Sequence, residues 1–527
     1  MAHDGAVIGQ VSKVGRRTAL IGGVGIGAAP GLLSHRWRGR APGQLRQGLE
    51  LTHGARSGEV TTDSAVLWAR GSGPGRLMVR LESNGRLHRS IRGQWTDERA
   101  DHTARLQLRG LAPGRRYDAT IWFASDDGTA GRPGRLSFTT APVHAAPTSL
   151  VWSGDTCGQG FGINQELGGL ATYRAIHETR PDLFLHCGDT IYADLEIPSR
   201  VDEESGHVWR NVVSDGVEKV AESLEEFRGR HRYVLQDAHV RAMYAEIPTV
   251  SQWDDHETTN NWFPGRLIDD DRYTERRCDV LAARGRRAWQ EYQPVPVSTF
   301  IDRGGDGYAP GRIYRRLPRG QHLDLFVLDM RSYRGSNDTF NVDSQGILGP
   351  DQARWLTESV IDSRATWKVI SADLPLSIPS THAHDLDGPC NGDDGSPLGR
   401  EPELAAILSA WKRAGVRNVV FVTADVHYTA AHHYSPERAA YTDFDPFWEF
   451  VSGPLAAETF PRKDGLLDQT FGPEVVFSKG NDTALRQSPR DGNQFFGHLA
   501  IDAAGALTVT LHEGSGVAVW RKVLDPG

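Results

Sequence analysis

Four clusters of acidic, histidine, tyrosine and asparagine residues carry the chemistry of this sequence. They are Gly154-Asp155-Thr156, Gly188-Asp189-Thr190-Ile191-Tyr192, Trp253-Asp254-Asp255-His256-Glu257 with Asn260-Asn261, and Ala424-Asp425-Val426-His427-Tyr428. Carboxylate and amide oxygens suit calcium, magnesium or manganese, a phenolate favours a hard ferric ion, and an imidazole accepts many metals. Such a donor set can hold two or three cations. With a further histidine to protonate a leaving oxygen, it has the parts that metal-assisted phosphoester hydrolysis requires. Asp189 follows a glycine directly and is placed to bridge cations. Singly, a Gly-Asp turn also serves as a cap or an Asx-turn, and a histidine at a strand end is commonly a hydrogen-bond donor. Together they read as one metal site.

The elements that must position these groups are visible around them. Leu150-Val151-Trp152, Leu183-Phe184-Leu185-His186 and Val419-Val420-Phe421-Val422 are short apolar runs ending in polar loops, as buried strands do. In open α/β sheets the carboxyl ends of strands collect the ligands. From Ser149 onward such runs alternate with helical spacings at Leu170–Glu178, Val220–Leu235, Val280–Tyr292, Pro350–Ser363 and Glu401–Ala414. Further strands are expected at Leu323–Leu328 and Trp367–Ser371, and an antiparallel pair over Ala500–Leu511 and Ala518–Val523. The implied fold is an α/β sandwich over residues 148–527.

Ahead of it, residues 46–141 alternate apolar and polar side chains between turns such as Gly73-Pro74-Gly75, the pattern of a small β-sandwich. Leu111-x-Pro113-x-x-x-Tyr117 resembles the tyrosine corner of fibronectin type III domains. Residues 1–40 are expected to be a twin-arginine export signal: Arg16-Arg17 precedes a mildly apolar, Gly/Ala-rich stretch from Leu20 to Leu33. No stable membrane span is expected. The net charge of −8 gives no overall basic field, so neither sequence-independent nor sequence-specific nucleic-acid binding is suggested. The four cysteines include no Cys-x-x-Cys pair, which argues against a zinc ribbon.

Asp182–Asp194, Trp253–Asn261, Leu328–Arg334 and Ala424–Tyr428 resemble the alkaline phosphatase D (PhoD-like) family of calcineurin-like metallophosphoesterases. His53-Gly54 to Trp68-Ala69-Arg70 resembles that family's N-terminal β domain. The resemblance implies a four-layer α/β/β/α catalytic domain and an exported enzyme with an iron and calcium centre. It carries metal ligation onto Asp189, Tyr192, Asp255, an Asn of the 260–261 pair (Asn261, with Asn260 left to the substrate), Asp425 and His427, and it implies that His256 faces the phosphate and acts in catalysis with Asp189. One position departs. Where better known members have Ser-Cys-Gln, with a thiolate on iron, this chain reads Ser153-Gly154-Asp155-Thr156-Cys157-Gly158-Gln159. Asp155 aligns with that cysteine and Cys157 competes with it. With Asp155 as ligand, iron is less strongly selected and manganese, magnesium or zinc become alternatives.

The expected function is hydrolysis of phosphomonoesters or phosphodiesters by a hydroxide held between cations. The substrate is a small phosphoester or a phosphodiester polymer of cell-wall or nucleic-acid type; the oligomeric state does not follow from the sequence. A rival of another class is a cell-surface binding protein with a vestigial metal site, which the intact Asp, His and Tyr set opposes. Arg331 and Arg334 either clamp phosphate or pair with acids, and His432 and His433 either line the pocket or lie on a solvated strand. Asp254 and Glu257 are expected to support the ligands. Residues 198–248 and 382–399 are expected as lids or loops over the site.

Overall fold

The computed structural model describes residues 48–296, 312–337, 346–379, 386–462 and 466–527. The expected export signal therefore lies outside the described residues, as do positions 382–385 of the second expected loop. Two large sheets organise the rest. A nine-stranded sheet runs Ala518–Leu524, Leu507–Glu513, Phe495–Ile501, Thr148–Ser153, Phe184–His186, Thr249–Ser251, Leu51–Gly58, Ser64–Gly71, Thr103–Arg109. A seven-stranded sheet runs Arg315–Pro318, Leu323–Val327, Trp367–Ser371, Val419–Thr423, Phe447–Val451, Thr429–Tyr434, Pro473–Lys479.

Side-chain alternation along the central strands explains the layering. In Thr148–Ser153, Leu150 and Trp152 join a core shared with Leu325, Val369, Val420 and Val422 of the other sheet, while Val151 faces the opposite way. In Val419–Thr423, Val420 and Val422 face that inter-sheet core and Phe421 packs on helix residues Leu408 and Trp411. Strands buried on both faces read as continuous apolar runs, which is why these were conspicuous. Val151 and Phe184 share their core with the helices Ala171–Thr179, Ala238–Glu246 and Cys278–Tyr292. Gly349–Ile361 and Glu401–Arg413 cover the other sheet. The order is helix, sheet, sheet, helix.

The N-terminal strands close a β-sandwich over one end of the large sheet. Leu51–Gly58, Ser64–Gly71 and Thr103–Arg109 share a core with a four-stranded sheet ordered Arg86–Thr96, Gly75–Ser83, Arg116–Ala124, Gly134–Thr139. The Tyr117 hydroxyl accepts the Ala112 N–H at 2.9 Å, the hydrogen bond of a tyrosine corner. Gly58 pairs in parallel with Thr249, so the sandwich and the large sheet are continuous, and the described residues form one compact unit.

The segment 198–248, expected as a lid, is packed structure. The helix Leu224–Val234 lies on Cys278–Tyr292, and the buried Arg228 pairs with Glu291 at 2.7 Å. Ala238–Glu246 is a further helix that its short apolar spacing did not reveal.

Candidate metal centre

Three parallel strands bring the first clusters together. Val151 pairs with Phe184 and Phe184 with Thr249, so Asp155, Asp189 and Asp254-Asp255 leave the same sheet edge. Asp425 leaves the parallel strand Val419–Thr423 of the facing sheet. The turns are sharp: Asp155, Asp189, Asn261, Asp425 and His427 have φ of 64°, 52°, 54°, 68° and 56°. Left-handed backbone costs a residue other than glycine roughly 1–2 kcal/mol, least for Asp and Asn, and it concentrates where function demands it. Gly188, at φ 111°, is required by close approach, since a Cβ there would lie 2.5 Å from that of Asp254.

Carboxylate oxygens of Asp189, Asp254, Asp255 and Asp425 all lie within 4.8 Å of one another, and Asp189, Asp255 and His256 form a second such group. Tyr192 Oη is 3.0 Å from His427 Nε2 and 3.4 Å from Asp155 Oδ1, and His427 Nε2 is 3.3 Å from Asp155 Oδ1. His427 Nδ1 is bonded to the Glu458 carbonyl; that bond fixes the tautomer and leaves Nε2 free of a proton on the side of Tyr192 and Asp155. Burial, followed by the neighbouring acids, pushes the Asp189, Asp425 and Tyr192 protons well above their ordinary pKa values. Asp155 Oδ2 and Asp255 Oδ1 are buried with no hydrogen-bond partner. Converging carboxylates with orphaned oxygens cost several kcal/mol unless a cation neutralises them, so hard oxygen donors with one imidazole and one phenol fit a di- or trivalent metal.

With that geometry in hand, the comparison with known proteins is decisive. Residues 150–511 match the family model described as PhoD-like phosphatase, and residues 39–136 match its N-terminal domain. The chain belongs to the PhoD-like phosphatase family. Alkaline phosphatase D of Bacillus subtilis (strain 168) is 25% identical over 405 residues, covering 71% of this chain and 64% of that protein. The chain thus aligns with less than two thirds of that relative's length. A solved structure of PhoD shares the fold at TM-score 0.67, with 18% identity over 90% of this chain and 92% of that one. Purple acid phosphatase PPD1 from yellow lupin seeds shares it more loosely, at TM-score 0.53 and 12% identity over 89% and 73%.

Within this PhoD-like fold the supporting residues are specific. Glu257 accepts the backbone N–H groups of Asp189 (3.1 Å), Thr190 (2.6 Å) and Asp254 (2.6 Å), which pins the Asp189 and Asp254-Asp255 loops to each other. His256 Nδ1 is 2.7 Å from Asp194, and its ring stacks on Tyr192. Burial opposes charge on His256, but Asp194 and then Asp255 outweigh it and raise the ring to about 10. Asn260 is exposed and its N–H donates to Asp194, while the Asn261 N–H donates to Asp255 at 2.5 Å. Cys157 belongs to a buried core with Ile163, Tyr173 and Tyr233, and burial pushes its thiol up.

Of the two alternatives for Arg331 and Arg334 the structure shows pairing with acids in place of a phosphate clamp, and for His432 it shows neither. Arg331 is 0% exposed, with Nε 2.6 Å from Asp254 and Nη1 2.8 Å from Asp387, so it ties two buried acids together and presents no open fork to a phosphate. Arg334 also pairs with Asp387, at 3.1 Å. His432 neither lines the site nor meets solvent: it is buried on the strand Thr429–Tyr434, 3.0 Å from Glu449. Asp194, Asp387 and the Glu458 carbonyl were missed. Asp194 ends the Asp182–Asp194 segment and was within reach from the sequence, whereas Asp387 and Glu458 lie in loops with no local signal.

Proposed function

We propose that this PhoD-like chain is an exported metal-dependent phosphoesterase that hydrolyses phosphomonoesters or phosphodiesters. The observation that carries this is the convergence of Asp155, Asp189, Asp255 and Asp425 with Tyr192 and His427 around buried, unpartnered oxygens. Those residues and Asn261 would hold the metals, iron with calcium by family resemblance. Manganese, magnesium or zinc are the alternatives that Asp155 favours in place of a thiolate. Bound there, the metals supply Lewis acidity and neutralise charge on the phosphoryl group.

The chain's own groups do the rest. With Nδ1 occupied by Asp194, His256 has Nε2 to give a proton to the departing alkoxide oxygen. Glu257 and Arg331 hold the loops that carry Asp189, Asp254 and Asp255 in register, as supporting partners of ligands do. Asn260, exposed beside Asn261, is available to a phosphate oxygen through its amide. Among the described residues no helix is long and apolar enough to cross a membrane. The test is elemental analysis of the purified protein, with hydrolysis of nitrophenyl phosphate and bis-nitrophenyl phosphate before and after chelation. Chelator-sensitive turnover supports the reading, and the ratio of the two rates assigns monoester or diester preference. Metal-free protein without turnover after reconstitution would leave only a binding role.

A further inference from the structure

Charge is distributed unevenly along this chain. Residues 48–141 contain 14 arginines, no lysine and 10 acidic residues, a net +4, whereas residues 142–527 carry 38 basic and 56 acidic residues. The sandwich is therefore a basic module attached to a strongly acidic body, and the overall charge of −8 conceals it.

Strand register shows where part of that charge lies. In the four-stranded sheet the inward positions Leu77, Val79, Ala119, Ile121 and Phe123 fill the sandwich core, so the alternate positions form the outer face. Across that face Trp95 opposes Arg76, Arg92 opposes Met78 and Met78 opposes Trp122, and in the next row Ser90, Arg80, Thr120 and Arg135 lie side by side. Trp95 is 41% exposed, Trp122 is half-buried, and Arg92 and Arg135 are exposed. Arg80 is engaged by Glu82 at 2.7 Å and Arg76 donates to the Gly93 carbonyl at 3.0 Å. No ion pair is recorded for Arg92 or Arg135 among the described residues. The free side of Arg86–Thr96 is partly closed by Arg89, which donates to the carbonyls of Arg109 and Gly110 at 2.8 Å, so the open feature is the face of the sheet.

We propose that this face docks single-stranded nucleic acid, with bases stacked on Trp95 and Trp122 and phosphates held by Arg92 and Arg135. Two indoles separated by one strand and one row stand roughly 12 Å apart, a span of two or three nucleotides. Aromatic platforms flanked by guanidinium groups bind single strands without regard to sequence, because every base has a face to stack and every linkage a charge. A polyanion without planar groups would use the arginines and leave the tryptophans idle. The inference rests on register and charge and stands apart from the hydrolytic reading.

The test is fluorescence anisotropy of a labelled 20-mer of oligothymidine with the full chain, with and without chelator, across a salt series. Binding is expected under both conditions, weakening with salt at a slope of about −0.7 per phosphate contacted. Trp95→Ala should weaken it at least fivefold at every salt concentration. Joint Arg92→Glu and Arg135→Glu should weaken it more than tenfold and flatten the salt slope. Nitrophenyl phosphate turnover should be unchanged in both variants. Absence of binding overturns the proposal, as does binding that Trp95→Ala leaves intact and inorganic polyphosphate displaces as well as unlabelled oligothymidine.

Discussion

The Tyr192 ring lies on the His256 ring with centroids 4.1 Å apart and planes at 28°, so one side chain connects the proposed proton donor to the His427–Asp155 pair. Tyr192→Phe retains the stack and removes only the phenol oxygen. If that oxygen binds metal, the variant should lose at least tenfold in metal affinity and in turnover, with unfolding of the chelated protein little changed. The iron-loaded variant should also lack the phenolate-to-iron absorption band that iron-loaded wild type shows. Calorimetric metal titration beside a visible spectrum checks this; unchanged affinity would remove Tyr192 from the ligand set.

Asp189 makes an opposite-signed prediction for the metal-free protein. Its carboxyl is buried among Asp255, Asp254 and Asp155, which raises its pKa well above the ordinary range. A buried carboxylate kept ionised by alkaline pH destabilises the fold until a cation arrives. Asp189→Asn should abolish turnover yet raise the melting temperature of the chelated protein at pH 8, by about 1 °C for each kcal/mol relieved in a chain of this size. A lower melting temperature with chelator present would contradict the like-charge account.

How far the sequence discloses this arrangement depends on burial and distance. Asp155, Asp189 and Asp425 were legible because each ends a run of apolar residues buried on both faces, and such runs contrast sharply with the polar loop that follows. Arg331 was legible as a residue near the site but not in its role, because its partners Asp254 and Asp387 lie 77 and 56 positions away. His432 sits opposite Glu449 on a neighbouring strand, a pairing that no local period encodes. The continuity of the sandwich with the large sheet through Gly58 and Thr249 is likewise a long-range fact. Local periodicity reports which faces are apolar, and not what covers them.

Arg331 tests the distinction between a phosphate clamp and a structural cation. Removing it would leave Asp254 and Asp387 buried without their shared partner, and breaking such a pair costs about 3–5 kcal/mol. Arg331→Met should therefore lower the urea midpoint strongly and weaken metal retention. Arg331→Lys should be intermediate in stability, because an ammonium cannot meet both acids with the same fork. If Arg331→Lys instead keeps wild-type stability and raises only KM, the clamp assignment is restored.

His231 sets an acid limit on the fold remote from the metal centre. Its ring is 4% exposed and lies 5.3 Å from that of Tyr292 at 13°; burial, then Arg56 and Arg232, lower its pKa to about 3. A folded-state value below the unfolded one means that the fold prefers the neutral ring. The resulting stability is complete above the unfolded value of about 6.5 and falls with pH by up to about 1.4 kcal/mol per unit toward the folded value. From pH 7 to pH 5 this single residue should cost about 2 kcal/mol, all of it on the acid side. His231→Phe keeps a flat ring against Tyr292 and cannot titrate, so its urea-unfolding free energy should fall by about 2 kcal/mol less over that interval. Parallel stability curves for wild type and variant would show that His231 charges at no cost to the fold.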